Sequence, residues 1–167
     1  IIIIKSYLEG RTQRVRYNGV ISAPAELSCG VLQGSVLGPL YFLLYTADVF
    51  QIAHQQGFKI HGYADDLQLY QHCLPTDVDM MKDCFSMCVE RIMAWMSSNR
   101  LRLNASKTEI LWLGSSRRLA RTALPSSIVI NNCSVPLADE VKCLGVTIDS
   151  ALTFSKHVSS LVRTCYF

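Results

Sequence analysis

Charge is the first thing this chain lacks. Only 17% of its 167 residues are Asp, Glu, Lys or Arg, and the formal net charge is +3. No strong overall basic field advertises nucleic acid, so any such partner has to be read from a local site. Paired cysteine motifs are missing too. The seven cysteines, at positions 29, 73, 84, 88, 133, 143 and 165, are odd in number and form no CxxC. With no secretory signal pattern either, this predicts reduced thiols packed mostly as small apolar residues, an intracellular protein of the nucleus or cytoplasm, and no disulfide-linked partner. Core packing is also the preferred reading of Cys84 and Cys88, one helical turn apart, over a metal shared with His61 or His72.

Long apolar runs are absent as well. Residues 27–47 contain no charge, yet Ser28, Gln33, Ser35 and Pro39 interrupt them, and the continuous apolar part, residues 40–45, falls far short of the roughly 20 residues that span a bilayer. The four-residue spacing of Gly30, Gly34 and Gly38 is therefore not a membrane-helix motif, and no membrane partner is expected. Nor is it a Walker loop, because no Gly-Lys-Ser/Thr follows. The better account is a loop feeding a helix, with Pro39 in the first turn and residues 40–49 as the helix body. There is no internal repeat and no low-complexity linker. An apolar content of 50% over about one domain's length suffices for a real core. Neither end reads as a domain edge. The start, IIIIKSYLEG, lacks an initiator Met and opens inside an apolar run, and VSSLVRTCYF stops inside one, so the expectation is a chain cut at both ends.

What is present centres on residues 58–73, FKIHGYADDLQLYQHC. Lys59, His61, Tyr63 and Asp65 alternate with Ile60, Gly62 and Ala64, and Leu67 and Leu69 alternate with Asp66, Gln68 and Tyr70. Two strands meet near Ala64 and Asp65. Neighbouring side chains of one straight strand point to opposite faces, so adjacent carboxylates converge on one ligand only where the backbone reverses. A tight hairpin tip supplies the reversal. Like charges repel, and a divalent cation is their natural counter-charge; the plainer alternative is a polar turn, which Asp favours anyway.

Around this stretch, Asn18-Gly19 between residues 13–17 and Val20-Ile21 signals a hairpin. Arg11, Arg14 and Arg16 form a small basic group, read first as a solvated strand face. Thr76 reads as the N-cap and Asp79 as the capping-box acid of a helix that ends by Asn99, with Val78, Met81, Phe85, Val89, Ile92 and Met96 as its core stripe. A polar turn, residues 101–109, leads into a strand over residues 110–113 and puts Lys107 at the strand mouth. Arg117, Arg118 and Arg121 mark an irregular basic connector. Residues 127–130, the turn Asn131-Asn132 and residues 133–137 form a second hairpin. Residues 141–148 read as one strand interrupted by Gly145, where a backbone or ligand comes close. Phe154, Val158, Leu161 and Cys165 begin a last helix.

In this order, GVLQGSVLGP at residues 30–39, YADD at 63–66, NASKTE at 104–109 and CLGV at 143–146 resemble the successive palm motifs of reverse transcriptases, and above all those of non-LTR, LINE-type retrotransposons. The resemblance runs from about Ser6 to the last helix. It implies an α+β fold, an antiparallel palm sheet with packed helices, with residues 1–150 a partial palm domain and 151–167 the start of a thumb or connection helix. The implied activity is RNA-directed DNA polymerisation, with RNA template, DNA primer and dNTP as partners. Asp65 and Asp66 would hold Mg²⁺ in a two-metal site and, with Lys107 beside the departing pyrophosphate, form the catalytic group. Gln33, Gly34 and Ser35 would line the nucleotide and template side. Tyr63, Ala64, Leu144 and Gly145 would face or grip the primer. The chemistry suits these residues, because Mg²⁺ takes oxygen ligands from carboxylates and substrate phosphates.

Three departures qualify it. The family's earlier motif, with a further metal-binding aspartate, is expected upstream of Ile1, so the metal cage is incomplete and the isolated chain is expected to be inactive. Leu32 stands in place of the usual proline, and Cys143 where an aromatic is common. Two other readings compete: a non-catalytic nucleic-acid-binding remnant of a decayed element, and a metal-dependent phosphohydrolase for which Asp48 is the nearest spare acid.

Overall fold

A computed structural model describes residue 5, residues 7–28, residue 30 and residues 34–166. The chain forms two compact units, Ile1–Asp48 with Gly62–Leu67, and Val49–His61 with Gln68–Phe167. It is a mixed α and β structure in which antiparallel pairs predominate, as the α+β reading expects. Every buried apolar side chain among the described residues belongs to the second unit.

In the first unit, β1 (Thr12–Gln13) pairs with β4 (Ala25–Glu26), and β2 (Arg16–Tyr17) pairs with β3 (Val20–Ile21), both antiparallel. Asn18 and Gly19 join β2 to β3 with φ of 46° and 78°, the left-handed pair a two-residue type I′ turn demands and Asn-Gly supplies. Arg11 is not a free strand-face cation: its guanidinium donates to the carbonyls of Gly30 (2.6 Å) and Leu8 (3.1 Å), tying the glycine loop back to the chain start. Helix α1 (Gly38–Tyr45) carries Pro39 in its first turn, where the missing N–H costs nothing. The expected single helix over residues 40–49 is broken. Thr46, buried, turns its hydroxyl back onto the carbonyl of Phe42 (2.9 Å) and caps α1, and α2 (Ala47–Gln55) starts afresh.

The second unit begins in α2. Gly57, at φ 79°, ends that helix in a Schellman pattern: Phe58 N–H donates to Ala53 C=O (3.0 Å) and Gly57 N–H to His54 C=O (3.0 Å). The chain is thereby aimed straight into β5 (Lys59–Tyr63), which pairs with β6 (Asp66–Tyr70). Ile60 is the buried position of β5, and Leu67 and Leu69 are half-buried on β6, as the alternation predicts. Helix α3 (Val78–Ser98) starts later than expected. Asp77, not Thr76, occupies the N-cap and makes no capping bond, because Thr76 instead donates its hydroxyl to the Asp77 carboxylate (2.7 Å). Its end falls at Asn99 as expected, and its apolar face buries Val78, Cys88, Val89 and Ile92.

That face lies on a three-stranded sheet, β7 (Ile110–Leu111), β9 (Cys133–Ala138) and β8 (Ser127–Ile130) in that order. The β8–β9 hairpin turns at Asn131 and Asn132, with φ of 51° and 59°. The β7–β9 pairing is parallel, and nothing in the sequence signals it. Val89, Ile110, Ile128, Ile130 and Val135 form the core, with Leu69 and Phe85 packed against it. Residues 112–113 leave the strand early. The basic connector contains a single helical turn, α4 (Ser116–Leu119). Of the described cysteines, only Cys88 is fully buried; Cys133 and Cys165 are exposed, so they do not serve as core packing.

Residues 141–148 are not one strand. They are a hairpin, β10 (Glu140–Cys143) and β11 (Val146–Asp149), paired from Glu140↔Asp149 to Cys143↔Val146 around Leu144-Gly145. No atom lies within 4 Å of a Cβ added at Gly145, so its glycine serves the φ of 87° rather than a close approach. Helix α5 (Ser155–Cys165) follows, joined to β10 by Lys156 and Glu140 at 2.7 Å. The Asp149 carboxylate organises the connection. It accepts from the N–H of Thr153 (3.0 Å), Phe154 (2.7 Å) and Ala151 (3.2 Å), and from the Thr153 hydroxyl (3.1 Å).

Two stability changes follow from this packing. Ile128→Ala should lower unfolding free energy by about 2–5 kcal/mol in urea titration, the usual cost of emptying a well-packed core position. The hydrogen bonds from Thr153, Phe154 and Ala151 hold the Asp149 carboxyl below its usual range. A lowered folded value contributes stability at neutral pH that is lost as pH falls through that value. The midpoint difference between the native chain and Asp149→Asn should therefore shrink between about pH 6 and about pH 3.

Candidate functional site

Among the described residues four hairpins organise the strands, and their tips divide into two kinds. Asn18-Gly19 and Asn131-Asn132 carry the residues that left-handed backbone prefers. At Ala64-Asp65 and Leu144-Gly145 the first loop position does not. Ala64 takes φ 54° and Leu144 takes φ 46°, each at the first loop position, where a Cβ costs roughly 1–2 kcal/mol and Gly or Asn would relieve it. Leu144 is also 55% exposed, and Tyr63 beside Ala64 is 68% exposed, so neither tip holds its apolar residue by packing. Strained, solvent-facing apolar residues at a reversal have no local reason to be there.

The reversal at Ala64-Asp65 places Asp65 in the loop and Asp66 as the first residue of β6, both exposed. Among the described residues neither carboxylate receives a hydrogen bond or a cation, in contrast to Asp149 with its four donors. An aspartate kept for turn chemistry bonds its own backbone two residues on, as Asp149 does toward Ala151. Asp65 and Asp66 do not, which leaves their oxygens available to a ligand. No third His, Cys, Asp or Glu gathers with them among the described residues.

The glycine loop belongs to the same unit as this tip. Gly30 and Gly34 take φ of 81° and 78°, and Ser35 Oγ accepts the N–H of Gly38 (3.0 Å) while pairing with the Tyr7 hydroxyl (2.5 Å). Ser35 is thus held by α1 and Tyr7 and braces the loop. Gln33 lies outside the described residues.

In the second unit, Lys107 ends the 3₁₀ turn Ala105–Lys107, exposed and without a carboxylate partner among the described residues. Ser106 donates to Asn104 Oδ1 (2.7 Å) and Thr108 to the Asn104 carbonyl (3.0 Å), so Asn104 sets the turn that presents the lysine. On β6 the Gln68 amide donates to Cys143 Sγ, joining that strand to the base of the Leu144-Gly145 tip. His61 Nε2 and the Tyr70 hydroxyl meet at 3.1 Å across the β5–β6 ribbon, where the two rings pack against each other. Sequence reasoning missed Gln68 and Asn104. The adjacency of Gln68 to YADD was the available signal.

The family model for reverse transcriptase (RNA-dependent DNA polymerase) matches residues 1–148. The chain belongs to the reverse transcriptase family. It is a member of the non-LTR, LINE-type group. It is 33% identical over 163 residues to the probable RNA-directed DNA polymerase from transposon X-element of Drosophila melanogaster, covering 95% of this chain and 17% of that protein. Over 171 residues it is 30% identical to the probable RNA-directed DNA polymerase from transposon BS of Drosophila melanogaster, covering 98% of this chain and 18% of that protein. Over 166 residues it is 30% identical to the RNA-directed DNA polymerase from mobile element jockey of Drosophila funebris, covering 95% and 17%. This reverse transcriptase chain therefore spans less than a fifth of these relatives' length. No solved structure matches it.

If the two tips keep strained residues for a ligand, relieving them should stabilise the fold. Ala64→Gly and Leu144→Asn are each expected to raise unfolding free energy by about 0.5–1 kcal/mol, and Asn131→Leu to lower it by a similar amount, in parallel denaturant titrations.

Proposed function

We propose that this chain is the part of an RNA-directed DNA polymerase that presents the catalytic carboxylates and grips the primer. In this reading residues 1–150 are a partial palm domain, and residues 151–167 begin a thumb or connection helix. The observation that carries it is the pair Asp65 and Asp66, exposed and without any partner among the described residues, at a strained reversal that turn chemistry does not explain. RNA template, DNA primer and dNTP are the partners this implies, and the nucleus or cytoplasm is where it would meet them.

The donor set suits magnesium, which binds through one or two carboxylates completed by substrate phosphates. Asp65 and Asp66 would hold it. When bound, Mg²⁺ supplies the charge that activates a primer 3′-hydroxyl and neutralises the leaving pyrophosphate. The remaining work falls to the chain's own residues. Lys107, exposed on its turn, offers a mobile cation to the departing phosphates. Gly34 and Ser35, with Gln33, set the nucleotide and template side, where the left-handed glycines expose backbone N–H groups. Tyr63, Ala64, Leu144 and Gly145 give the primer apolar, shape-reading contacts that carry no base code. Two carboxylates alone make an incomplete cage, so we propose that the 167-residue chain by itself binds metal weakly and polymerises nothing. A second reading, a nucleic-acid-binding remnant without chemistry, shares the same surface.

Primer extension separates these. The isolated chain with Mg²⁺ is expected to give no templated product. Joined to the matching upstream region of the X-element relative, it should extend a primer, and Asp65→Asn or Asp66→Asn should lower that rate about 10³-fold or more. Robust synthesis by the isolated chain overturns the incomplete-cage reading, and failure of the joined protein favours the remnant. Mn²⁺ titrated into the isolated chain should broaden backbone resonances of Gly62–Leu67 first, and Asp65→Asn with Asp66→Asn should abolish that order.

A further inference from the structure

An open groove of ≈ 370 Å³ lies within the second unit, and none of the site residues that the polymerase reading uses lines it. Its walls come from the loop before α3 (Cys73, Leu74, Pro75), the end of β7 (Trp112, Leu113, Gly114) and the α4 turn (Arg118, Leu119, Thr122). That volume is at the low end of the roughly 300–1,000 Å³ typical of small-ligand clefts, room for one base and its sugar. The floor is fixed. Gly114 N–H donates to Ser150 C=O (3.0 Å), and a Cβ at Gly114 would come within 3.2 Å of Leu119, so α4 closes down over a residue without a side chain.

The chemistry of the lining is lopsided. No carboxylate lines the groove, and its one charge is the Arg118 guanidinium. Burial, assisted by the Asp77 carboxylate, pushes the Cys73 thiol up, so that wall stays neutral. Trp112 gives a half-buried indole face, and the Ser115 and Thr122 hydroxyls sit beside the arginine. Arg117 and Arg121 flank it on the same short segment, exposed, and none of the three guanidiniums meets a carboxylate among the described residues. Three arginines within five residues, in a chain poor in charge and none of them paired with a carboxylate among the described residues, form a free cationic patch beside an aromatic-lined cleft. A flat ring joined to a phosphate satisfies both features at once. Three cations exceed what one phosphate needs, which favours a strand over a free nucleotide.

We propose that this groove seats one unpaired nucleotide of a single-stranded nucleic acid, with Trp112 stacking on the base, Arg118 holding its phosphate, and Arg117 and Arg121 following the neighbouring phosphates. The inference stands on the groove and does not need the carboxylate site to be active. It is tested on the 167-residue chain with a fluorescein-labelled oligouridylate 12-mer. Anisotropy should report binding that weakens at least tenfold in the R117A/R118A/R121A variant, with the salt slope smaller by about 2, from three lost strand contacts at about 0.7 each. These side chains are exposed, so the variant should keep the native circular dichroism, and R117K/R118K/R121K should retain most of the affinity and all of the salt slope. In a Trp95→Phe background Trp112 is the only indole, and its emission should be quenched by the 12-mer and barely by UMP at equal nucleotide concentration. Binding by the alanine variant equal to the native chain, or 12-mer binding that leaves Trp112 emission unchanged, overturns the proposal. Equal quenching by UMP overturns the strand and leaves a mononucleotide site.

Discussion

A two-residue hairpin loop must turn its first residue into left-handed backbone, and every L side chain except Asn, Asp and Gly resists it. Much of this chain's organisation follows from where it accepts that cost. At Asn18-Gly19 and Asn131-Asn132 it spends the right residues and the loops close without strain. At Ala64 and Leu144 it does not, and the strain has to be held by the strands on either side. For the Leu144 tip those strands are visible: a four-pair ladder from Glu140↔Asp149 to Cys143↔Val146 enforces the loop, and α5 braces the ladder through Lys156 and Glu140. A strained tip on a rigid ribbon keeps its shape when a ligand arrives, which is the structural condition for a preorganised site.

Aspartate shows the same division of labour. Asp149 spends both of its oxygens on three backbone N–H groups and a hydroxyl, and one of those bonds goes to the N–H of Phe154, which is left-handed at the N-cap of α5. Its charge is satisfied locally, so it has nothing left to give a ligand. Asp65 and Asp66 spend nothing among the described residues. Equal residue types thus take opposite roles according to whether the backbone offers them donors, and the turn at Ala64 offers none.

Local signals were legible in the sequence wherever the physics is local. The Asn-Gly and Asn-Asn turns, the reversal inside YADD, the apolar stripe of α3 and its end at Asn99 all depend on neighbours within a few residues, and the structure has them. Interactions that depend on distant partners were not. The parallel pairing of Ile110↔Leu137 and Leu111↔Ala138 needs a sheet assembled from segments far apart, and Arg11, which the sequence puts on a solvated strand face, donates to the Gly30 carbonyl 19 residues away. The CLGV stretch failed for another reason. Alternation alone cannot tell a strand with a glycine from two strands around a Leu-Gly loop, because leucine is a poor turn residue, and the rule that normally separates the two is the one this chain breaks. As for the candidate site, the carboxylates and Lys107 were visible as residue types, whereas the Gln68 to Cys143 bond and the Asn104 brace behind Lys107 were not.

The distribution of burial bears on how such a chain can carry chemistry. Among the described residues all buried apolar side chains lie in the second unit, where α3 seals the β7–β9–β8 sheet, and Leu69 of β6 packs against that core. One leg of the carboxylate hairpin is therefore anchored by core packing while its tip remains in water. That arrangement suits a metal site better than burial would. A buried pair of adjacent carboxylates would raise its own pKa by desolvation and mutual repulsion and would keep a proton where a cation is wanted. Exposure at the tip of a ribbon with a packed leg leaves both carboxylates open to a cation and leaves the work of excluding water to whatever substrate closes over them.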